Sequence, residues 1–181
     1  MNITLIGMRG AGKSNVSRRL AVLTKRPVMS TDTLIEYEDG GRTINDFIAE
    51  TGDWRTFRER EYEVVRKVCD MDGTIIDAGG GVVVDLDEAG EEVYSARKIE
   101  LLRAGGPIVW LRGDLDHLVA KVEAKANRPS LDLRTSTRAL MERRLPFYER
   151  AADIIIDVRG KRRQILALEI LDRLGPDAVL P

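Results

Sequence analysis

Two spacings of apolar positions alternate along the chain. Short continuous apolar or β-rich runs occur at 2–6, 28–30, 74–78, 108–111 and 152–157, each bounded by glycine, proline or a polar residue. Runs of this length with such boundaries read as buried strands. Between them, apolar residues recur every three or four positions, the helical spacing. Val16, Leu20 and Leu23 mark a first helix reaching about Lys25, and Leu34–Tyr37 reads as the start of a second. Thr43 is placed to cap a short helix carrying Ile44, Phe47 and Ile48 on one face, ended by Gly52. Asp53 then caps a longer helix with Phe57, Glu61, Val64, Val65 and Val68 along one side. Further helices are predicted up to Leu102-Arg103, from Asp114 to about Lys125, from Ser136 to Ala151, and over 164–171 before Gly175-Pro176. Strands alternating with helices imply right-handed β-α-β crossovers and a parallel sheet. The expected fold is therefore α/β: a five-stranded parallel sheet between layers of helices, in one domain over residues 1–181. Neither a repeat nor an interdomain linker interrupts the pattern.

The first strand leads directly into Gly7-Met8-Arg9-Gly10-Ala11-Gly12-Lys13-Ser14, the G-x-x-x-x-G-K-S phosphate-binding pattern. A strand before it and a helix after it supply the setting that this motif requires. Its glycines let backbone N–H groups turn inward around phosphate oxygens, and the helix beginning near Lys13 adds its positive end. Gly10, Ala11, Gly12, Lys13, Ser14 and Asn15 are the candidate nucleotide contacts, with Lys13 reaching the β- and γ-phosphates and the Ser14 hydroxyl ligating Mg²⁺. In a parallel sheet the carboxyl ends of neighbouring strands share one crevice. Asp32, after the second strand, then lies beside the loop, where it is a candidate to contact an acceptor hydroxyl or a Mg²⁺-bound water and, compatibly, to cap the next helix. Gly79-Gly80-Gly81, after the third strand, suits close approach of another group to the backbone. The charges in Phe57-Arg58-Glu59-Arg60-Glu61 read in the first instance as a solvated helix face. Pro129 breaks the helical pattern at 126–135, and this arginine-bearing loop, with Arg128 and Arg134, is placed to close over a triphosphate.

Composition narrows the field. With 33% charged and 43% hydrophobic residues, the chain has the make-up of a folded domain rather than a disordered one. A formal net charge of −1 argues against a general affinity for nucleic acid or anionic membranes. Cys69 has no second cysteine to pair with, and His117 has no second histidine, so an internal disulfide and histidine-based metal or triad chemistry are not expected. No apolar run has transmembrane length, so the expected setting is the cytoplasm. Without a guanine-selective Asn/Thr-Lys-x-Asp motif, a GTPase is disfavoured, and a small kinase fits best. Arginines at 58, 128 and 144 have the planar fork that suits an anionic acceptor and phosphates.

Over nearly its whole length the chain resembles the shikimate kinase family. Thr31-Asp32-x-Leu34-Ile35-Glu36, Phe57-Arg58-x-x-Glu61, Gly79-Gly80-Gly81, Arg128-Pro129 and Arg144-x-Pro146-x-Tyr148 followed by Ala152-Asp153 are similar to that family's motifs. The resemblance implies a three-layer P-loop kinase with a substrate-binding helical region at about 32–61 and a lid at about 126–135. It implies phosphorylation of the shikimate 3-hydroxyl by Mg-ATP on the way to chorismate, by a monomer with no nucleic-acid or membrane partner. Asp32 would hold the substrate hydroxyls and act as base, Arg58 and Arg144 would grip the carboxylate, and Gly79, Gly80 and Gly81 would line the floor. Lys13 and Arg128 would be catalytic, Arg128 also contacting ATP, and one of the basic residues at 159–163 would approach adenine. Two departures stand out. Ser30 occupies the position of an aspartate that helps position Mg²⁺ in the family, and Asp77 is a candidate replacement from the adjacent strand. The acidic stretch around 88–96 is longer than expected and reads as a surface insertion. The alternatives carried forward are a related kinase of another polyol acid such as gluconate, and a nucleotide-binding module without catalysis.

Overall fold

The structure is a computed structural model that describes residues 1–124 and 136–178. Five short strands, β1 (Ile3–Ile6), β2 (Val28–Ser30), β3 (Ile75–Asp77), β6 (Ile108–Arg112) and β7 (Ile154–Asp157), form a sheet in the order β2-β3-β1-β6-β7. Every neighbouring pair in it is parallel. Between β3 and β6 the chain makes an antiparallel hairpin of β4 (Val84–Leu86) and β5 (Glu92–Tyr94), with Leu86 opposite Glu92 and Val84 opposite Tyr94. This hairpin is the acidic stretch that the sequence reading leaves as an insertion; three-residue strands with mixed exposure carry too little periodicity to be seen.

The helices are α1 (Lys13–Thr24), α2 (Thr31–Glu38), α3 (Ile44–Thr51), α4 (Trp54–Cys69), α5 (Ala96–Gly105), α6 (Leu115–Glu123), α7 (Thr137–Ala151) and α8 (Arg163–Leu174). They flank the sheet, so its central strands are buried on both faces. Ile3, Leu5, Ile6, Ile75, Ile76, Ile108, Val109 and Leu111 have no solvent exposure. That double burial explains why these strands read as continuous apolar runs. The predicted caps Thr43 and Asp53 are in place, and Asp114 and Ser136 cap α6 and α7 in the same way. Thr43 Oγ1 accepts from Asp46 N at 3.1 Å, Asp53 Oδ1 from Thr56 N at 2.9 Å, Asp114 Oδ1 from His117 N at 2.9 Å and Ser136 Oγ from Ala139 N at 3.2 Å. His117 itself is exposed on α6, as a surface residue. Among the described residues no helix is long and apolar enough to cross a membrane.

Strand β1 is central. From it the chain crosses to the edge strand β2 and returns to β3 between them, then passes to the other side of β1 for β6 and β7. The crevice at its carboxyl end, where the order reverses, is where an open α/β sheet receives its ligand.

Candidate active site

The phosphate loop leaves β1 at this switch point. Helix α1 begins on Gly12, whose φ of +93° is open to glycine and which provides no side-chain cap for the helix. The first amides of α1 are thus left to a ligand, the arrangement that binds anions at helix starts. Lys13 folds back and donates from Nζ to the Gly7 carbonyl at 2.8 Å. Burial pulls its pKa below the ordinary lysine value, against the opposing pull of Asp32 and Asp77.

The two strand ends beside the loop, those of β2 and β3, deliver the acidic groups. Ser30 and Asp77 stand opposite each other in the parallel register of β2 and β3. The cap of α2 is Ser30, whose Oγ accepts from Thr33 N at 3.4 Å. Asp32 is therefore not the cap, and lies in the first turn with its carboxylate lining the cleft. Burial raises its pKa to about 6, helped by Glu61 and opposed by Lys13. A Cβ on Gly79 would lie 2.2 Å from Asp32 Oδ1, and one on Gly81 would lie 2.4 Å from Arg58 Nη1. The glycines are there because the carboxylate and the guanidinium occupy the space a side chain would need. Gly79 N donates to Thr31 Oγ1 at 2.8 Å, tying the glycine turn to the base of α2.

Arg58 and Glu61 are not on a solvated face. Both are buried on the inner side of α4, at 4% and 1% exposure. Arg58 Nη1 donates to Glu61 Oε2 at 2.8 Å and to the Gly81 carbonyl at 3.3 Å. Lys98 of α5, also wholly buried, donates to the same Glu61 oxygen at 2.6 Å and to the Val84 carbonyl at 2.5 Å. Burial alone would raise the Glu61 pKa, but Lys98 and Arg58 outweigh it and hold the carboxylate ionised. From the opposite wall comes Arg144 of α7, 7% exposed, with Nε donating to Glu92 Oε2 at 2.9 Å and Nη2 to Glu92 Oε1. Tyr148, one turn further on, donates its hydroxyl to the Gly80 carbonyl and stacks on Trp110, with ring centroids 5.8 Å apart.

These groups surround one cleft of about 810 Å³. Gly10, Gly12, Lys13, Ser14 and Asn15 line its phosphate end, while Asp32, Arg58, Gly80, Gly81 and Arg144 line the other part. Gly79 backs Asp32 rather than facing the space, and Ala11 is buried in the loop. Arg128, and the loop at 126–135 that carries it, lie outside the described residues. The basic run at 159–163 is engaged locally, Arg159 with Asp157 and Lys161 with Glu169, each at 2.7 Å. Sequence reasoning did not assign Glu61, Lys98, Glu92 or Tyr148 to the site. A carboxylate on the apolar face of α4 is a usable signal for Glu61. Lys98 and Glu92 carry none, because their partners lie 37 and 52 residues away.

A phosphate loop at the switch point of a five-stranded parallel sheet, opening on a cleft walled by buried arginines and a carboxylate, defines a P-loop phosphotransferase acting on a small anionic acceptor. The family model described as shikimate kinase matches residues 9–175. The shikimate kinase of Leptospira biflexa is 45% identical over 175 residues, covering 97% of this chain and 96% of that one. That of Leptospira borgpetersenii is 40% identical over 174 residues, covering 96% and 97%. The solved structure of the Acinetobacter baumannii shikimate kinase in complex with shikimate superposes with a TM-score of 0.80 at 28% identity, covering 96% of this chain and 92% of that one. The chain belongs to the shikimate kinase family.

Proposed function

We propose that this chain transfers the γ-phosphoryl group of ATP to the 3-hydroxyl of shikimate, giving shikimate 3-phosphate and ADP. The observation that carries this reading is the pair of buried guanidiniums, Arg58 and Arg144, lining one cleft with the phosphate loop and Asp32. Two planar forks suit a carboxylate, and they fix the acceptor's orientation relative to the loop. With the carboxylate so held, the acceptor hydroxyl meets Asp32. Its oxygen attacks the γ-phosphorus, the bond from that phosphorus to the β–γ bridging oxygen breaks, and the hydroxyl proton passes to the Asp32 carboxylate. Lys13 leaves the Gly7 carbonyl for the phosphate oxygens and offsets the charge that develops on them.

The donor set also fits Mg²⁺, which takes hard oxygen ligands, keeps several waters, and is held through one or two carboxylates plus substrate phosphates. Ser14 lies at the phosphate end of the cleft, and the Asp77 carboxylate is close enough to Lys13 and Asp32 to act on both electrostatically. Ser14 would hold the ion directly and Asp77 would hold its waters, standing in for the carboxylate that Ser30 lacks. The ion would supply positive charge to offset that of the phosphate oxygens. In an Asp77→Asn variant, calorimetric Mg²⁺ binding to the ADP complex should weaken by roughly tenfold. Unchanged binding would remove Asp77 from this role.

A coupled assay of ADP release with Mg-ATP tests the function, with shikimate, gluconate or no acceptor. Shikimate-dependent release is expected, and none above background with any acceptor would overturn the reading. Run against pH, the same assay tests Asp32. A base must be ionised to accept a proton, and the Asp32 pKa is raised to about 6. Shikimate kcat/KM should therefore be full above pH 7 and fall about tenfold per unit below pH 6. A flat profile between pH 5 and 7.5 would show that Asp32 only orients the hydroxyl.

A further inference from the structure

The β4–β5 hairpin docks on α7 through consecutive contacts. Glu91 lies 3.5 Å from Arg143, Glu92 takes Arg144 by two bonds, and Tyr94 meets Phe147 edge-on at 6.1 Å, with Arg150 4.1 Å over the Tyr94 ring. Of the α7 residues in this series only Arg144 lines the cleft, and Glu92 does not line it. Glu92 therefore holds the guanidinium from the side away from the cleft. We propose that Glu92 is a positioning residue: it fixes the plane of Arg144 so that the unused edge of the guanidinium faces the acceptor carboxylate. The inference rests on the reading of the acceptor as shikimate.

The donor count supports this. Arginine has five N–H donors in one rigid plane. Glu92 engages Nε and Nη2, and Nη1 has no acceptor among the described residues. Two bonds to one carboxylate fix both the position and the tilt of that plane. The side chain reaches the cleft while almost wholly buried, so without Glu92 it would be a buried charge lacking its counter-ion and free to take other rotamers. Glu92 also sets how the acceptor is recognised. Around the two arginines, Glu61 and Glu92 offset much of the positive charge, with Lys98 adding to it. Selectivity for a carboxylate then comes from directed bonds at a pre-set edge rather than from a strongly positive field.

Steady-state kinetics of Glu92→Gln and Glu92→Ala, with shikimate and with its methyl ester, test the proposal. Glu91→Gln, altering the neighbouring exposed pair, serves as control. The shikimate KM should rise roughly tenfold or more in both Glu92 variants, while the ATP KM stays within about twofold. The preference for the acid over the ester should shrink, which a general loss of stability would not produce. Glu92→Gln keeps the side chain's shape and one acceptor, so it reports even where Glu92→Ala fails to fold. An unchanged shikimate KM with the ester preference intact would overturn the role. A lowered KM would also overturn it, by showing that Glu92 competes with the substrate for Arg144. Wild-type enzyme that releases no ADP with shikimate would sink the acceptor assignment itself, whereas turnover with unaffected variants would sink only the role of Glu92.

Discussion

Replacing Lys13 with methionine should lower kcat by about 10²–10³-fold while leaving the shikimate KM within a few-fold of the wild-type value. The side chain is half-buried, and among the described residues its ammonium bonds only to the Gly7 carbonyl, 2.8 Å away. That single neutral acceptor is a weak hold, and phosphate oxygens bearing full charge compete with it well. The desolvation that depresses the Lys13 pKa also strengthens its effect on nearby charge, because little water screens it. Transfer of the phosphoryl group moves charge onto oxygens within reach of that ammonium, so its removal costs more in the transition state than in the bound ground state. Methionine keeps the apolar bulk and so separates the charge from the packing. A kcat within tenfold of wild type at saturating ATP would exclude this role.

Arg58→Ala should act on the other substrate. Loss of a charged, buried hydrogen-bonding partner is worth about 2–4 kcal/mol, or roughly a 30- to 1000-fold rise in the shikimate KM. The fold should survive better than deletion of a buried ion usually allows. Glu61 retains Lys98, 2.6 Å from the same oxygen that Arg58 contacts, so the carboxylate is not left unpaired. Arg58→Lys should rescue little. An ammonium is a point charge without the planar fork, and Arg58 is positioned closely enough over Gly81 that a Cβ there would meet its nitrogens at 2.4 and 2.8 Å. A fall in kcat at saturating shikimate with unchanged KM would instead place Arg58 in the chemical step.

The readability of this chain from its residues follows from how far each interaction reaches along it. The sheet is legible because its strands are buried on both faces and therefore continuously apolar, and the helices are legible because their caps are local. Thr43, Asp53, Asp114 and Ser136 each satisfy an amide three residues on. The phosphate loop is legible for the same reason, as one contiguous motif. From the sequence Asp32 reads equally as cap and as site residue, because both roles are served by an acidic residue after a strand. The competing oxygen of Ser30 decides it, and that takes coordinates to see. Arg58 enters the site reading through the family resemblance and not through its local pattern. A charge-rich stretch on a helix is usually solvated, and here the glycine turn and Lys98 arrive from distant segments to cover it. The hairpin that holds Arg144 has the least local signal of all, since its role exists only where it meets α7.

The Trp110–Tyr148 stack has an optical consequence. The chain has two tryptophans, and the fold separates their surroundings. Trp110 is sealed in the core at 5% exposure, whereas Trp54 is half-buried and lines the cleft, 5.7 Å from the Arg58 guanidinium. Emission from Trp54 is therefore sensitive to what fills the cleft, and emission from Trp110 to whether the interior beneath Gly80 is intact. Trp54→Phe and Trp110→Phe proteins divide the fluorescence into one channel for occupancy and one for unfolding, with no dye attached.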